Sequence, residues 1–263
     1  MHIQRGAWAE INLDAVAHNV QMAKANLKPT TKLCAVVKAD AYGHGAVRVA
    51  QEAARNGADF FAVALLQEGV KLREAGIETP ILVLGSMLPE VAEICVRYDI
   101  SHAVFDEERL YALNAAALKL HTKAKIHIKI DTGMHRIGVH VRDAGRFAKL
   151  AASLPGIYIE GVFSHFATAD ADDKQYAAYQ FERFQEALRL IEAEGVHIPI
   201  RHIANSAALT ELQEYQLDMV RQGITLYGLH PAHMIDCYKD FEPVMTVKTQ
   251  VAFVKTLPPG ETI

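Results

Sequence analysis

Residues 32–45 read KLCAVVKADAYGHG, and this segment sets the architecture. Five apolar residues, from Leu33 to Val37, stop abruptly at Lys38, and a turn rich in glycine follows. A short apolar run bounded by turn residues is typical of a buried strand. Similar runs recur along the chain, at 59–63, 81–84, 102–105, 125–130, 160–164, 200–204 and 217–220. We therefore predict about eight short strands, of which 102–105 has the weakest pattern.

Helical patterns separate these strands. They cover 45–55, 67–75, a segment opened by Pro89, 106–118 with Asp106 as its N-cap, 176–193 and 207–212, and a further helix at 13–25 precedes the first strand. Strands that alternate with helices in this way form a parallel sheet covered by helices. The strand count and the position of the polar residues favour an α/β fold of the TIM (β/α)8 barrel type. A doubly wound open sheet is the competing architecture.

Both ends of the chain carry strand patterns with no place in such a barrel. Residues 8–12 precede the first helix, and residues 244–254 alternate and are rich in β-branched side chains. We predict a barrel domain at 12–236, with 1–11 and 237–263 as strand segments of a second, C-terminal β-domain that is largely missing. Because neither strand has an evident partner, we expect exposed sheet edges that promote association.

Composition and charge exclude several classes of function. The 27 basic and 31 acidic residues give a net charge of -4, which provides no basis for binding nucleic acid or a membrane surface. No apolar run approaches the ~20 residues that span a bilayer, and Met1–Arg5 lacks the layout of a signal peptide, so we expect a cytoplasmic protein. Cys34, Cys95 and Cys237 are too few and too scattered for a disulfide framework or a metal site.

Polar residues cluster just after the predicted strands, where TIM barrels build their active sites. Lys38 is the first of these residues, because it ends an apolar strand. A lysine in such a place is a candidate for Schiff-base chemistry with a carbonyl compound. The simpler interpretation, that Lys38 marks where the strand reaches water, stays open.

A phosphate site is expected after the seventh and eighth strands. Ser206, Gly223 and Ile224 follow these strands, and a barrel of this type often binds phosphate there through backbone N–H groups. Tyr42 can add a hydroxyl group. Ser206 has an alternative role, because serine often caps a helix and the helix at 207–212 begins beside it.

Further polar side chains fall at the same end of the barrel, namely Lys129, Arg136, His165 and Arg221. Taken singly, the arginines fit surface positions, the histidine fits a hydrogen-bonded core position, and Lys129 fits an ion pair with Asp131. Together with a lysine that can form a Schiff base and a phosphate site, they indicate an aldehyde cofactor that bears a phosphate.

Several ordered stretches of the chain resemble motifs of the alanine racemase family. They are AVVKADAYGHG at 35–45, DTGMHRIG at 131–138, HIANS at 202–206 and MVRQGITLYG at 219–228. Chance agreement at so many specific motifs in the same order is negligible. The resemblance extends from about Trp8 to the last residues of the chain, and it implies a TIM barrel joined to a β-domain.

The resemblance implies an isomerase that uses pyridoxal 5'-phosphate to interconvert L- and D-alanine for peptidoglycan synthesis. The implied catalytic residues are Lys38, Lys129, Arg136, His165 and Arg221. The implied cofactor contacts are Lys38, Tyr42, His165, Asn205, Ser206, Arg221, Gly223, Ile224 and Tyr227. Arg136 and Met134 are expected to contact the substrate, and no metal is expected.

The resemblance also implies roles for the charged groups. Lys38 would hold the cofactor and act as the base that faces the D-enantiomer. Arg136 would donate to the phenolic oxygen of the cofactor, and Lys129, which is carbamylated in many members, would orient that arginine. Arg221 has hydrogen-bond donors only and stays charged, so it would keep the pyridine nitrogen unprotonated. The resulting weaker electron sink restrains transamination and favours racemisation.

The family's second base is absent from the sequence. The resemblance implies that this base is a tyrosine from the C-terminal β-domain of the partner subunit, in a homodimer with shared active sites. The sequence ends before the corresponding stretch, and Tyr227 and Tyr238 are in the wrong place to replace it. We therefore expect this chain alone to bind the cofactor but to racemise alanine poorly. The alternatives are a barrel that carries the cofactor without catalysis and a racemase for another small amino acid, such as serine.

Overall fold

Parallel strands and helices alternate along the computed structural model, which describes residues 6–231 and 238–262. The strands are β1 (Ala7–Ile11), β2 (Lys32–Val36), β3 (Phe60–Val63), β4 (Ile81–Val83), β5 (Ser101–Val104), β6 (Ala124–Asp131), β7 (Val139–His140), β8 (Ile157–Phe163), β9 (Ile200–His202), β10 (Met219–Gln222) and β11 (Met245–Thr249). The helices are α1 (Leu13–Ala25), α2 (Lys38–Tyr42), α3 (Ala46–Arg55), α4 (Leu66–Glu74), α5 (Ala92–Arg97), α6 (Glu107–Lys119), α7 (Ala144–Ser153), α8 (Gln175–Ala193) and α9 (Ser206–Glu211). Short 3-10 turns lie at Pro89–Val91, Val141–Asp143, Gln213–Tyr215 and Ile224–Tyr227.

Eight of the parallel strands form the barrel, in the order β10-β2-β3-β4-β5-β6-β8-β9. The two edge strands of this sheet meet, because Asp218 N donates to Arg201 O at 3.0 Å and Arg221 N donates to Ala204 O at 3.1 Å. The short strand β7 lies off this path and pairs with the end of β6. The predicted TIM barrel is therefore confirmed, and the open doubly wound sheet is wrong.

Residues that alternate along the barrel strands form two apolar layers, as the side-chain period of a strand requires. One face of the strands packs against the helices, where Leu33 and Val37 lie with Val16 of α1 in the larger core. The other face points into the barrel and forms a smaller cluster, whose members are Cys34, Val36, Phe60, Ala62, Leu82, Ile200 and Met219. The interior of the barrel is thus filled by side chains below the site.

Most predicted elements appear within one or two residues of their expected positions, including the weak strand at 102–105. Asp106 caps α6 as predicted, since its side chain accepts a hydrogen bond from Arg109 N at 3.0 Å. The last barrel strand is shifted by two residues, to Met219–Gln222, and Pro89 opens a 3-10 turn before α5. Helix α7 lies where the sequence analysis makes no prediction. Within the described ranges, every helix is too short or too polar to span a membrane.

The strands at the two ends of the chain pair with each other, which contradicts the expectation that both lack a partner. β1 and β11 form an antiparallel ribbon in which Ala9 lies opposite Val247. The pairing follows from the barrel, because α1 packs beside the last barrel turn and Asn12 N donates to Val244 O at 2.8 Å. Residues 250–254 lie outside the ribbon. Cys237 and the predicted boundary at 236 lie outside the described residues, so the division into domains stays a prediction.

A buried asparagine of α1 attaches the returning C-terminal segment to the barrel. Asn19 Nδ2 donates to Leu226 O at 3.1 Å and to Glu242 O at 2.8 Å, and its Oδ1 accepts from Glu242 N at 2.8 Å. The side chain is fully buried. Its loss would leave several backbone groups without partners in a dry environment.

We expect Asn19→Ala to lower the free energy of unfolding by roughly 3 kcal/mol, because buried groups left unpaired cost about 1–3 kcal/mol each. Urea denaturation measures this change, and limited proteolysis should show earlier cleavage near residues 242–250. Asn26→Ala is the matched control at the C-cap of the same helix, since the side chain of Asn26 donates to Met22 O within the helix and accepts from Gln213 Nε2 at 3.4 Å, away from the C-terminal segment. Equal effects of the two substitutions would contradict the anchoring role of Asn19.

Candidate active site

Two adjoining cavities open at the carboxyl ends of the barrel strands. Their volumes are ≈ 300 and ≈ 370 Å³, and both are lined by Lys38, Leu84, His165 and Arg221. The first cavity also includes Tyr42, Met134, Asn205, Ser206, Gly223 and Ile224. The second includes Lys129 and Arg136. Because the shared side chains lie between them, we describe the two cavities as one site.

The turn that begins at Lys38 has a left-handed backbone, which residues other than glycine rarely adopt. In α2 the φ angles of Ala39, Asp40 and Ala41 are 52°, 52° and 56°, and that of Tyr42 is 50°. Left-handed backbone costs about 1–2 kcal/mol for each residue other than glycine. The turn therefore exists only because surrounding contacts stabilise it.

Two carboxylates supply those contacts. Glu68 of α4 accepts from Ala39 N at 2.6 Å through one oxygen, and from Ala64 N and Leu65 N at 2.7 and 3.0 Å through the other. Asp40 accepts from Ala46 N at 3.1 Å, which ties the turn to the start of α3. Glu68 thus joins the segment after β2 to the segment after β3, directly beside the lysine.

The half-buried amine of Lys38 lies close to other cations. Burial lowers its pKa below the ordinary lysine value, Arg136 lowers it further, and Glu68 opposes the shift. A lower pKa raises the fraction of neutral amine at neutral pH, and the neutral amine is the form that attacks a carbonyl carbon. The interpretation of Lys38 as a mere strand end is therefore less favoured, since the residue lines the cavity in a perturbed state.

Arg221 is buried at the centre of the site and is held by acceptors on every side. Its Nη2 donates to Ser164 O at 2.8 Å and to Ile203 O at 3.0 Å. The same atom contacts Nδ1 of His165 at 3.0 Å, while Nη1 contacts Nδ1 of His202 at 2.6 Å. Burial lowers the pKa of Arg221 to about 10, so the guanidinium is still protonated at neutral pH.

The donors of Arg221 determine the tautomers of both histidines. A guanidinium carries no acceptor, so Nδ1 of His165 and Nδ1 of His202 must each accept. Burial lowers the pKa of both imidazoles well below the ordinary value, and the charge of Arg221 lowers it further. Both rings are therefore neutral, with the hydrogen on Nε2.

Lys129 is buried in the second cavity, with its Nζ 5.0 Å from the centre of the Phe163 ring. Burial lowers its pKa well below the ordinary lysine value, and Arg221 and Arg136 act in the same direction. The proposed ion pair with Asp131 is not formed, because Asp131 instead accepts from Gly133 N and His135 N at 3.0 Å each. The lowered pKa favours the neutral amine of Lys129 over its ammonium form.

Two hydroxyl groups and a glycine bound a hollow at the far side of the first cavity. Ser206 Oγ accepts from Gly223 N at 2.8 Å. A Cβ added to Gly223 would lie 3.5 Å from Ser206 Oγ and 3.9 Å from Tyr42 Oη, so the missing side chain leaves room among polar groups. A phosphate fits these donors and this space. The residue that caps α9 is Asn205, which accepts from Ala208 N at 3.1 Å, so the alternative role of Ser206 as the cap is wrong.

Tyr227 lines neither cavity. Its buried hydroxyl donates to Val36 O at 2.8 Å, and its ring meets that of Tyr42 edge-on at 5.2 Å. This position supports Tyr42 from behind, and the expected direct contact of Tyr227 with a cofactor stays a prediction. Arg136 lies at the mouth of the second cavity and is exposed.

Three residues that support the site were not predicted from the sequence, namely Glu68, His127 and His202. Glu68 gave no signal, because a glutamate in the first turn of a surface helix is ordinary. The histidines did give one: each occupies an inward position of a buried strand, where an unpaired polar group is costly. A search for polar residues at inward strand positions would have found them.

A TIM barrel with a perturbed lysine, a polar phosphate-sized hollow and a buried arginine in one site defines an enzyme of the pyridoxal-phosphate-binding barrel class. Comparison with known families agrees with this class. The model of the family described as "Alanine racemase, N-terminal domain" matches residues 11–231. The chain belongs to this family, whose members depend on pyridoxal phosphate.

Individual relatives of the chain are named alanine racemase. A protein of Desulfovibrio desulfuricans named alanine racemase is 46% identical over 256 residues, which cover 97% of this chain and 69% of that protein. The alanine racemase of Halothermothrix orenii is 45% identical, with 98% of this chain and 68% of that protein covered. Among solved structures, alanine racemase of Clostridium difficile 630 in complex with cycloserine superposes with a TM-score of 0.93 at 38% identity, over 97% of this chain and 71% of that chain.

We expect Glu68→Gln to weaken cofactor binding about tenfold, because one oxygen that accepts from backbone N–H groups would be replaced by a donor. The loss of the negative charge should also lower the pKa of Lys38 further, since Glu68 raises it. Titration of the chain with pyridoxal phosphate, followed by visible absorbance at several pH values, measures both changes.

Glu74→Gln is the matched control for this experiment. Glu74 lies on the same helix and accepts only from the hydroxyl of Tyr98, at 3.1 Å. Cofactor affinity should therefore be unchanged in this variant. Unchanged affinity in Glu68→Gln as well would show that the left-handed turn does not depend on this carboxylate.

Proposed function

We propose that this chain is the cofactor-binding barrel of an alanine racemase, an isomerase that interconverts L- and D-alanine for peptidoglycan synthesis. The observation that carries the proposal is that two particular side chains line one cavity. Lys38 has a lowered pKa, and Arg221 is buried and charged. The names of relatives at 43–46% identity support alanine racemisation over the alternatives of a non-catalytic carrier or a serine racemase.

Pyridoxal phosphate, when bound, supplies an aldehyde that holds the amino acid and a ring that delocalises the electrons of its α-carbon. The residues that would hold the phosphate are Tyr42, Asn205, Ser206, Gly223 and Ile224. Lys38 would hold the aldehyde end, and His165 and Arg221 would contact the ring. The hollow beside Gly223 fits a phosphate, and the neutral His165 fits an uncharged ring surface.

In this proposal Lys38 serves twice, as the group that binds the cofactor and as the base that takes the α-proton of D-alanine. Both roles need an amine that is neutral for part of the time near neutral pH. The lowered pKa of Lys38 provides it, because burial and the charge of Arg136 disfavour the ammonium form.

Arg221 limits the reaction to proton exchange. Its guanidinium can donate a hydrogen bond to a ring nitrogen but cannot give up a proton, since its pKa of about 10 keeps it charged at neutral pH. Arg221 would thus keep a ring nitrogen that accepts from it unprotonated. A ring in that state would withdraw less negative charge from the α-carbon and would favour its reprotonation.

Arg136 and Met134 are proposed substrate contacts, because both line the cavities near Lys38. Lys129 is proposed to orient Arg136 from below. The lowered pKa of Lys129 suits this position, since a second full positive charge beside the arginine would repel it.

A homodimer with shared active sites belongs to the same proposal. The cavities are open toward solvent at Arg136, so a partner subunit can complete the substrate side of the site.

A cytoplasmic location is also proposed, because Cys34 and Cys95 are free thiols of the kind that a reducing compartment maintains. Sedimentation of the purified chain with pyridoxal phosphate should show a dimer, and cell fractionation should place it in the cytoplasm; a monomer at all concentrations would argue against shared sites.

We expect the chain to exchange the α-proton of D-alanine for deuterium when it is incubated with pyridoxal phosphate in heavy water. The reason is that Lys38 provides a base on one face of the substrate. Exchange into D- and L-alanine is followed separately by NMR, with the visible absorbance of the bound cofactor recorded on the same sample.

Lys38→Ala should abolish the exchange, whereas Lys32→Ala should leave it unchanged, because Lys32 begins β2 and Lys38 follows the other end of that strand. Exchange into L-alanine as well would reveal a base on the other face. Cofactor binding without exchange into either enantiomer would contradict the proposal and favour the non-catalytic carrier.

A further inference from the structure

A line of hydrogen bonds leaves the cofactor site and crosses the interior of the barrel. Arg221 Nη1 contacts His202 Nδ1 at 2.6 Å, and His202 Nε2 contacts His127 Nδ1 at 2.9 Å. His127 Nε2 then contacts Glu160 Oε2 at 3.0 Å. The same oxygen accepts from Ser101 Oγ at 2.5 Å. This line, here called the relay, joins the buried arginine to a carboxylate on the far side of two imidazole rings.

The relay has only one consistent direction. Arg221 has no acceptor, so His202 accepts at Nδ1 and must donate from Nε2. His127 then accepts at Nδ1 and must donate from Nε2 to Glu160, because an ionised carboxylate carries acceptors and no donor. Every hydrogen in the relay therefore points from the cation toward the anion, and each bond polarises the next.

The backbone of β8 is built to place Glu160 in the relay. Ile126 lies opposite Ile159 and His127 lies opposite Gly161, so Glu160 is the extra residue of a β-bulge. A bulge turns a side chain away from its ordinary alternation. Ile159 packs against the helices, so Glu160 faces inward and reaches His127, and the bulge brings Gly161 against the same ring before Val162 turns outward again.

Two further features hold the rings in place. A Cβ at position 161 would overlap the ring of His127, so this position requires glycine. The ring of Phe163 stacks on that of His202 at 5.0 Å with an angle of 6° between the planes. The alignment of the relay is thus imposed by the surrounding packing.

The charge of Arg221 needs such a partner. Within the described residues, none of the groups that accept its hydrogen bonds is a carboxylate. Cys34, which lies opposite Arg221 on β2, does not supply the negative charge, because burial raises the pKa of its thiol to about 12 and keeps it protonated. Burying a cation without a counter-charge is costly. Glu160 is ionised: burial raises the pKa of its carboxyl, but His127, Ser101 and Lys125 together outweigh that effect and hold the pKa below the usual value.

We propose that Glu160 is the counter-charge of Arg221 and acts as a positioning residue for it through His127 and His202. The negative charge stabilises the guanidinium in the barrel, and the directed hydrogen bonds fix the orientation of its Nη1 edge. Arg221 is thereby held charged and aimed at the site. The part of this inference that concerns the cofactor rests on the proposed function, whereas the coupling between the two charges does not.

A double-mutant cycle on the chain without cofactor tests the coupling. Glu160→Gln removes the charge but keeps an oxygen that can accept from His127, and Arg221→Met removes the cation but keeps an apolar stem. Each change alone should raise the equilibrium constant of unfolding. The two together should raise it about tenfold less than the product of the single effects, because neither charge then remains unpaired.

Glu211→Gln is the matched control for the cycle. Glu211 is a buried carboxylate that pairs with Lys174, outside the relay. Glu211→Gln and Arg221→Met together should change the equilibrium constant of unfolding by the product of their single effects. Independent effects of Glu160→Gln and Arg221→Met would overturn the proposal, since residues that neither touch nor compensate each other do not couple.

A spectroscopic measurement decides the matter even if Arg221→Met fails to fold. In the chain labelled with ¹⁵N-histidine, Glu160→Gln should shift the ring-nitrogen resonances of His202, although Glu160 does not contact His202. Glu160→Asp, which restores the charge, should move them back toward the wild-type positions, and Glu211→Gln should leave them unchanged. His202 resonances that do not respond to Glu160→Gln would overturn the relay.

The outcome is separable from that of the proposed function. If the coupling and the His202 shift are found but deuterium exchange into alanine is not, Glu160 is still the counter-charge of Arg221 and the proposed reaction is wrong. The opposite result is also possible: exchange is found, but Glu160→Gln neither shifts the His202 resonances nor couples to Arg221→Met in unfolding. In that case the reaction stands and the relay is wrong.

Discussion

The arrangement of the site depends on one constraint, the burial of a guanidinium that can only donate hydrogen bonds. Every neighbour of Arg221 must accept, and the acceptors come from the ends of β8 and β9, through Ser164 O and Ile203 O. The same requirement fixes the tautomers of His165 and His202. Because β10 carries Arg221 and its backbone also bonds to Ala204 O, this residue closes the barrel and organises the site at once.

The lysine is held by a different kind of constraint, which is strain. The left-handed backbone after Lys38 is unfavourable for residues with a Cβ, so the segment would relax without outside contacts. Glu68 and Asp40 provide those contacts through charge-assisted hydrogen bonds to backbone N–H groups, which are roughly twice as strong as neutral ones. The strain is local and the stabilising groups are distant in sequence, so the position of Lys38 depends on the assembled barrel.

The sequence allowed the barrel, most of its helices and the lysines and arginines that line the cavities to be predicted, because apolar runs and the polar residues that follow them are local signals. Features that depend on long-range proximity gave no such signal. The pairing of β1 with β11 and the contact of His127 with His202, which are 75 residues apart, need the closed barrel. The left-handed turn is formed by ordinary residues whose sequence does not reveal a positive φ. The cap of α9 was displaced by one residue, from Ser206 to Asn205, because both types cap helices equally well.

The charges of the site explain why one cavity can both attract an anionic cofactor and provide a neutral base. Lys38, Lys129, Arg136 and Arg221 line it, and their mutual repulsion adds to burial in lowering the pKa of both lysines. The arginines keep their charge because their ordinary pKa is so high, so the positive field persists while the neutral form of the two amines is favoured. An anionic ligand compensates that field at the hollow beside Gly223. The counter-charge for the deepest cation then has to come from elsewhere in the barrel, because a carboxylate in direct contact with Arg221 would compete with the ligand for its donors.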